Sequence, residues 1–241
     1  LSAKGADALE GITWEPSEHG HVRLWKRPGD TLGGLLDLSE DRMTHRYAAF
    51  ADIGGRWSGA DYSVVRILDR APMCADLFEE PGPPEVVAVW RGHLDQDLFA
   101  WEAARLCAWY DNALLAVEKN SLRRGSGEDE EGVHHLTVLD AIAEVYPHLY
   151  YTEKHDDVRG SKWRSYGFHT NRESKELLID TLNGALRDRL YIEREREALI
   201  GKDIVGRDLV VAAALAHQLQ QEQAQQRADP FRSRDGWRQS G

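Results

Sequence analysis

The chain has 241 residues, enough for one full hydrophobic core, and a formal net charge of −11 at neutral pH. It has no stretch of about 18 consecutive apolar residues, so the sequence predicts no membrane-spanning segment. The acidic balance excludes a protein whose whole surface coats nucleic acid, but it leaves room for local contact. The two cysteines, Cys74 and Cys107, have no metal-ligand spacing and indicate a reducing compartment.

The N-terminal part of the chain is mixed in composition. It begins Leu-Ser-Ala-Lys-Gly, without Met and without the apolar core of a signal peptide, and we interpret it as the start of an excised fragment. An extension is expected over 1–45, with one short strand at 21–26. The main domain is expected over 46–220, and a polar tail over 221–241.

The first core elements are three strands, predicted at 47–53, 63–68 and 85–90. Glycine- and proline-rich turns separate them, and no helical pattern intervenes, which predicts an antiparallel meander. A helix at 97–110 and a strand ending in Glu118 follow at once.

The second half of the core alternates short elements. A Gly- and acid-rich loop leads to a helix at 136–145, which must end before Pro147. The remaining predicted elements are a short strand at 149–152, a helix at 175–187, a short strand or extended piece at 190–193 and a last helix from about 207.

Two apolar runs each end in a single carboxylate, in Tyr47-Ala-Ala-Phe-Ala-Asp52 and in Ala113-Leu-Leu-Ala-Val-Glu118. Such runs are typical of strands buried on both faces. A carboxylate at the end of a buried strand is costly to desolvate unless a cation compensates it. Two carboxylates from neighbouring strands would therefore form a natural site for a divalent metal ion.

A third candidate carboxylate is Asp208, at the start of the last predicted helix. Val211 and Leu215 follow it on the same helix face, so Asp208 is expected to lean toward the strand ends. Taken singly, each acid has a simpler interpretation. Asp52 would be a turn residue, Glu118 one half of an ion pair, and Asp208 an acid that complements the helix dipole.

Basic and aromatic residues alternate over 154–166. The cations in this segment are Lys154, Arg159, Lys162 and Arg164, which makes them candidates for contact with backbone phosphates, and the aromatic residues suit unstacked bases. The alternative interpretation is a solvated surface loop.

At this point the sequence resembles a known family, the nuclease domains of phage terminase large subunits. The resemblance covers roughly 20–220, and the order of its elements is more specific than any one of them. Its motifs are Tyr47-Ala-Ala-Phe-Ala-Asp52-Ile-Gly-Gly with Asp61-Tyr-Ser-Val-Val65, Ala116-Val-Glu118-Lys-Asn120, Tyr166-Gly-Phe-His-Thr170 with Ser174-Lys-Glu-Leu-Leu-Ile-Asp180, and Gly206-Arg-Asp208-Leu-Val-Val-Ala212.

The resemblance implies an α/β, ribonuclease-H-like fold, a mixed sheet with its first three strands antiparallel and flanked by helices. It implies endonucleolytic cutting of concatemeric viral DNA during genome packaging, with Asp52, Glu118 and Asp208 as metal ligands. Family members usually carry two adjacent aspartates before the last helix, whereas here Arg207 precedes a single Asp208. Asp61 is a candidate for support behind the ligands, with a turn residue as the alternative.

Oxygen ligands favour Mg²⁺ or Mn²⁺, and no Cys/His set in the sequence competes for zinc. Two ions about 3.5–4 Å apart would activate a water molecule and stabilise the leaving 3′ oxygen of an in-line displacement. Asp52, from the central strand, is the best candidate to bridge both ions, with Glu118 and Asp208 each completing one side.

The resemblance also implies partners and a location. Double-stranded DNA would be the substrate, and an ATPase motor domain would precede this segment in the parent chain. The portal and the small terminase subunit are further candidate partners, the location would be the host cytoplasm, and no membrane is involved.

Two rival functions stay open on the sequence. Asp52-Ile-Gly-Gly before a hairpin also suits the phosphate-binding turn of an actin-like or sugar-kinase ATPase, although the chain is short for the two halves of such a fold. The second rival is a degenerate domain that only docks on DNA or protein, which the single Asp208 and the acidic charge slightly favour.

Overall fold

A computed structural model describes residues 5–29, 45–55, 59–73, 82–119, 138–156 and 160–194 of the protein. No helix within these ranges is both long and apolar enough to cross a membrane. The elements in these ranges are the strands β1 (Val22–Leu24), β2 (Tyr47–Asp52), β3 (Ser63–Asp69), β4 (Glu85–Gly92), β5 (Leu114–Val117), β6 (Tyr151–Asp156) and β7 (Ser161–Tyr166), the helices α1 (Gln96–Trp109), α2 (Val138–Ala143) and α3 (Arg172–Arg187), and two short 3₁₀ helices, Ala6–Leu9 and Ala71–Met73.

The main sheet has five strands in the order β1-β4-β3-β2-β5. β3 pairs antiparallel with both β2 and β4, whereas β5 lies parallel to β2. The predicted fold class is confirmed: the protein is α/β, with a ribonuclease-H-like mixed sheet whose first three core strands are antiparallel and which is flanked by helices. β1, from the segment expected to be an extension, is the edge strand beside β4.

Burial explains why the core strands read as continuous apolar runs. All seven residues of β3 are buried, and so are the first five of β2. A strand covered on both faces loses the alternation of apolar and polar residues that a half-exposed strand shows. Helix α1 packs on one face of the sheet, and its fully buried Ala100, Ala103 and Ala104 let the helix backbone approach the strands closely.

The predicted core elements are confirmed, with boundaries shifted by a few residues, and one prediction is wrong. The basic segment expected to be a loop is instead a two-stranded antiparallel hairpin, β6–β7, which turns at Gly160 with φ +62°. Polar, charged and aromatic side chains are mixed on both of its faces, so no apolar face marked it as a strand pair. The short strand or extended piece expected at 190–193 is present as an isolated bridge between Ile192 and Glu85. The helix expected from 207 lies outside the described residues.

Backbone and charge contacts hold the segment after α3 against the start of β4. The Ile192 N–H donates to Pro84 O (2.8 Å), and the Val86 N–H donates to Ile192 O (3.0 Å). Lys26 and Arg194 both pair with the buried Glu85 carboxylate. Burial alone would raise the pKa of Glu85, but the hydrogen bonds from these two cations outweigh it and lower the pKa below its usual value.

Candidate metal centre

Asp52 and Glu118 lie side by side at the ends of two parallel strands. The last paired residues of β2 and β5 are Ala51 and Val117, and the Glu118 N–H continues the ladder by donating to Ala51 O (2.8 Å). The next residue on each strand is an acid, so the two acids occupy matching positions. Residues that match in a sheet project from the same face. Both side chains therefore leave the same face of the sheet, from adjacent strands.

That face is the one opposite helix α1. Along β2, Tyr47, Ala49 and Ala51 belong to the core packed with α1, so the alternating Phe50 and Asp52 point the other way. Phe50 is buried and its ring meets that of Phe168 edge-on, with centroids 6.4 Å apart. Below the two half-buried acids the sheet thus presents an apolar floor, which lowers the local dielectric constant and strengthens their electric field.

The turn after Asp52 is held by its own backbone. The Gly54 N–H donates to the Ser63 hydroxyl (3.0 Å), and the Gly55 N–H donates to Asp61 O (2.9 Å). A side chain at position 54 would put its Cβ within 3.0 Å of three backbone atoms of Asp61 and Tyr62. Only glycine allows this approach, and the tight turn fixes where β2 ends and hence where Asp52 sits. The Asp61 backbone oxygen accepts one of these hydrogen bonds, and Asp61 itself is exposed. Its predicted role in supporting the metal ligands stays a prediction.

A third chain segment extends the sheet beyond Glu118. Phe168 makes a parallel bridge with Glu118; its N–H donates to Val117 O (2.7 Å), and the Lys119 N–H donates to Phe168 O (2.9 Å). Gly167 has φ +80°, and a Cβ there would lie within 3.0 Å of Val117 O and a Leu139 methyl group. The motif Tyr166–Thr170 did not predict that this segment pairs with β5 beside Glu118. Gly167 before the aromatic Phe168 was the feature of the sequence that marked such a close approach.

The structure thus brings together two of the three predicted ligands. Asp208 lies outside the described residues, so its place as the third ligand stays a prediction. Within the described part of the chain, no group of three or more His, Cys, Asp or Glu side chains is arranged to hold a metal ion. The donor set that is present fits a hard cation, because two carboxylates on one face repel each other until a divalent ion neutralises them.

The hairpin that carries the predicted DNA-binding cations is attached beside Glu118. The Lys119 ammonium donates to the Ser165 hydroxyl on β7 (2.7 Å), and the Gly167 N–H donates to Tyr150 O (2.9 Å). Lys119 therefore points away from Glu118 and toward the hairpin. Of the four predicted cations, Lys154, Lys162 and Arg164 lie exposed on β6 and β7, and Arg159 lies outside the described residues.

The hairpin presents aromatic surface as well as charge. The Trp163 side chain is 41% exposed, and the Arg164 guanidinium lies over the Tyr151 ring, 4.4 Å from its centroid. Arg164 on its ring and the exposed Trp163 indole project from opposite faces of the hairpin, so one face suits contact with phosphates and the other offers an aromatic ring for stacking.

A second group of titratable side chains lies at the opposite end of the sheet. The His45 and His148 rings meet edge-on with centroids 4.5 Å apart, and the Arg70 guanidinium donates to His45 O (2.7 Å). Burial, and then the nearby His148 and Arg70, lower the pKa of His45 to about 4. This group stands near the start of β2, whereas Asp52 ends that strand, and the strand between them spans about 17 Å at 3.3 Å per residue.

No protein-family model and no curated protein matches the chain. Among solved structures, the chain is similar to the large terminase nuclease from thermophilic phage G20c, solved with bound magnesium. The match has a TM-score of 0.47 and 16% sequence identity, and it covers 82% of this chain and 89% of that chain.

Proposed function

We propose that this protein is a metal-dependent DNA endonuclease of the terminase large-subunit type, with Asp52, Glu118 and Asp208 as ligands of Mg²⁺ or Mn²⁺. One observation carries the proposal. Asp52 and Glu118, far apart in sequence, occupy matching positions on adjacent parallel strands and leave the same face of the sheet. The same two acids end the apolar runs that the sequence motifs mark.

The described residues include carboxylates for the metal ions and cations for the DNA backbone. Both acids extend from strands whose preceding residues are buried, so the carboxylates are held in place before a metal ion arrives. Asp52 lies on β2, an interior strand between β3 and β5, and has Glu118 on one side; Asp208 would complete the ligand set. The cations of the β6–β7 hairpin would hold the DNA backbone beside the acids. When bound, the metal ions would supply an activated water and stabilise the leaving oxygen.

The structure gives a reason to prefer this function over an actin-like or sugar-kinase ATPase. Such a fold needs two related halves, and the described residues contain one five-stranded mixed sheet and one hairpin. The other rival, a domain that docks without cutting, makes a different prediction about metal binding and is separated from the nuclease by the experiment below.

The test is the variant Asp52→Asn, which removes a charge with little change in shape. We expect nicking of supercoiled plasmid in Mn²⁺ to fall by at least about 100-fold, with the thermal melting curve unchanged and Mn²⁺ binding by calorimetry weakened. The control is Asp111→Asn, which removes the same charge before β5, at the far end of the strand that leads to Glu118. Asp111 has φ +52°, a conformation that asparagine tolerates.

Cutting by Asp52→Asn at the wild-type rate would refute the site. A wild-type protein that binds DNA but neither binds Mn²⁺ nor nicks the plasmid would identify the docking domain instead. Asp208→Ala tests the third ligand in the same two assays. We expect it to weaken Mn²⁺ binding, and an unchanged binding isotherm would remove Asp208 from the ligand set.

A further inference from the structure

We propose that Arg91, held by Tyr62 and neighbouring His93, is a second contact for the DNA backbone, on the side of the acids away from the hairpin. The proposal rests on the proposed function and adds to it the path of the substrate across the sheet. Sequence reasoning did not single out any of these three residues.

The strand register places Arg91 in line with the acid pair. Asp52 pairs with Val64 across β2 and β3, and Val64 pairs with Arg91 across β3 and β4. Directly paired residues share a face of the sheet, so Arg91 leaves the same face as Asp52 and Glu118. Neighbouring strands are about 4.8 Å apart, which puts the Arg91 backbone about 10 Å from that of Asp52.

An aromatic platform orients the Arg91 side chain. The guanidinium lies over the Tyr62 ring, 4.1 Å from its centroid, and the Tyr62 side chain remains 38% exposed. The His93 ring stacks on Tyr62, with centroids 4.2 Å apart and planes 26° from parallel. A guanidinium fixed on a ring is a planar donor that loses little side-chain entropy when it binds an anion.

The same cluster is tied to the turn that positions Asp52. His93 Nδ1 lies 3.1 Å from Gly55 O, and because a carbonyl can only accept, Nδ1 is the protonated nitrogen that donates. Gly55 belongs to the turn directly after Asp52. The Arg91 cluster is therefore connected by strand pairing and by this hydrogen bond to the turn that carries Asp52.

The charges of this face indicate a phosphate backbone as the ligand. On this face the order along the sheet is Glu118, Asp52, Val64 and Arg91, and the cationic hairpin is attached at the edge of the sheet beyond Glu118. In a chain of net charge −11, a polyanion that approaches two carboxylates needs a cation on their own face, and Arg91 supplies it. A span of about 10 Å corresponds to about three phosphates of one strand, at 3.4 Å each along the helix axis.

The experiment measures binding of a fluorescein-labelled 20-base-pair duplex in EDTA, by anisotropy over a range of salt concentrations, with the full chain. Arg91→Met removes the charge, and Arg91→Lys keeps it. We expect Arg91→Met to weaken binding about 5-fold near 0.1 M salt and to reduce the slope of log K against log salt by about 0.9, whereas Arg91→Lys keeps the slope. Tyr62→Leu should weaken binding with the slope unchanged, because the cation remains but loses its platform.

The matched control is Arg187→Met, which removes the same charge from an arginine that is 76% exposed at the end of α3. Its binding and slope should equal those of the wild type. If Arg91→Met also keeps the wild-type slope and affinity while the wild type binds and nicks DNA, this inference is wrong and the nuclease proposal stands. If the wild-type chain neither binds the duplex nor nicks plasmid, both are wrong.

Discussion

We expect the substitution Gly54→Ala, which adds one methyl group, to disrupt the turn that positions Asp52. The Cβ of an alanine there would lie within 3.0 Å of three backbone atoms of Asp61 and Tyr62, a separation that real Cβ atoms essentially never show. Backbone atoms cannot swing aside as a flexible side chain can, so the turn itself must open. Opening it would break the hydrogen bonds from Gly54 and Gly55 and move the end of β2, which carries Asp52.

The expected magnitude follows from two opposing effects. Overpacking against fixed atoms costs about 3 kcal/mol, at the upper end of the usual range. Replacing glycine by alanine also reduces the entropy of the unfolded chain, which offsets about 0.5–1 kcal/mol. We therefore expect Gly54→Ala to lower the free energy of unfolding by about 2 kcal/mol and to weaken Mn²⁺ binding as well.

The control is Gly184→Ala, the same substitution in the interior of α3. Apart from its own helix and chain neighbours, no described atom lies within 4 Å of the position that its Cβ would take. Alanine should stabilise this helix by up to about 1 kcal/mol. Urea unfolding of both variants beside the wild type measures the two changes. Equal stability of Gly54→Ala and the wild type would refute the argument from close approach.

Two further predictions concern the hairpin and the far end of the sheet. The double variant Lys162→Ala, Arg164→Ala should weaken duplex binding and reduce the salt slope by about 2; an unchanged slope would remove the hairpin from the DNA path. The pKa of His45 is about 4 in the folded protein against an ordinary 6.5, so between these values the unfolded chain binds more protons and stability should fall as pH falls. Urea midpoints at pH 7, 6 and 5 check this, and His45→Asn, which tolerates the local φ of 56°, should flatten the dependence.

The order and type of the core elements follow from the amino-acid sequence. The buried strands are recognisable as unbroken apolar runs, and the carboxylates that end two of them, Asp52 and Glu118, mark the candidate site. These sequence patterns are local, because each depends only on which consecutive side chains of one strand are buried.

Which residues lie opposite one another follows only from the pairing of the strands in three dimensions. The match of Asp52 with Glu118 and the row that leads through Val64 to Arg91 depend on hydrogen-bond register between distant segments. The hairpin at 151–166 escaped prediction because its faces mix charge and aromatics, so no periodicity marks either strand. Hydrophobic periodicity indicates how one strand is buried, whereas register is a property of two paired strands. A shift of one residue between β2 and β5 would have turned Glu118 to the other face of the sheet.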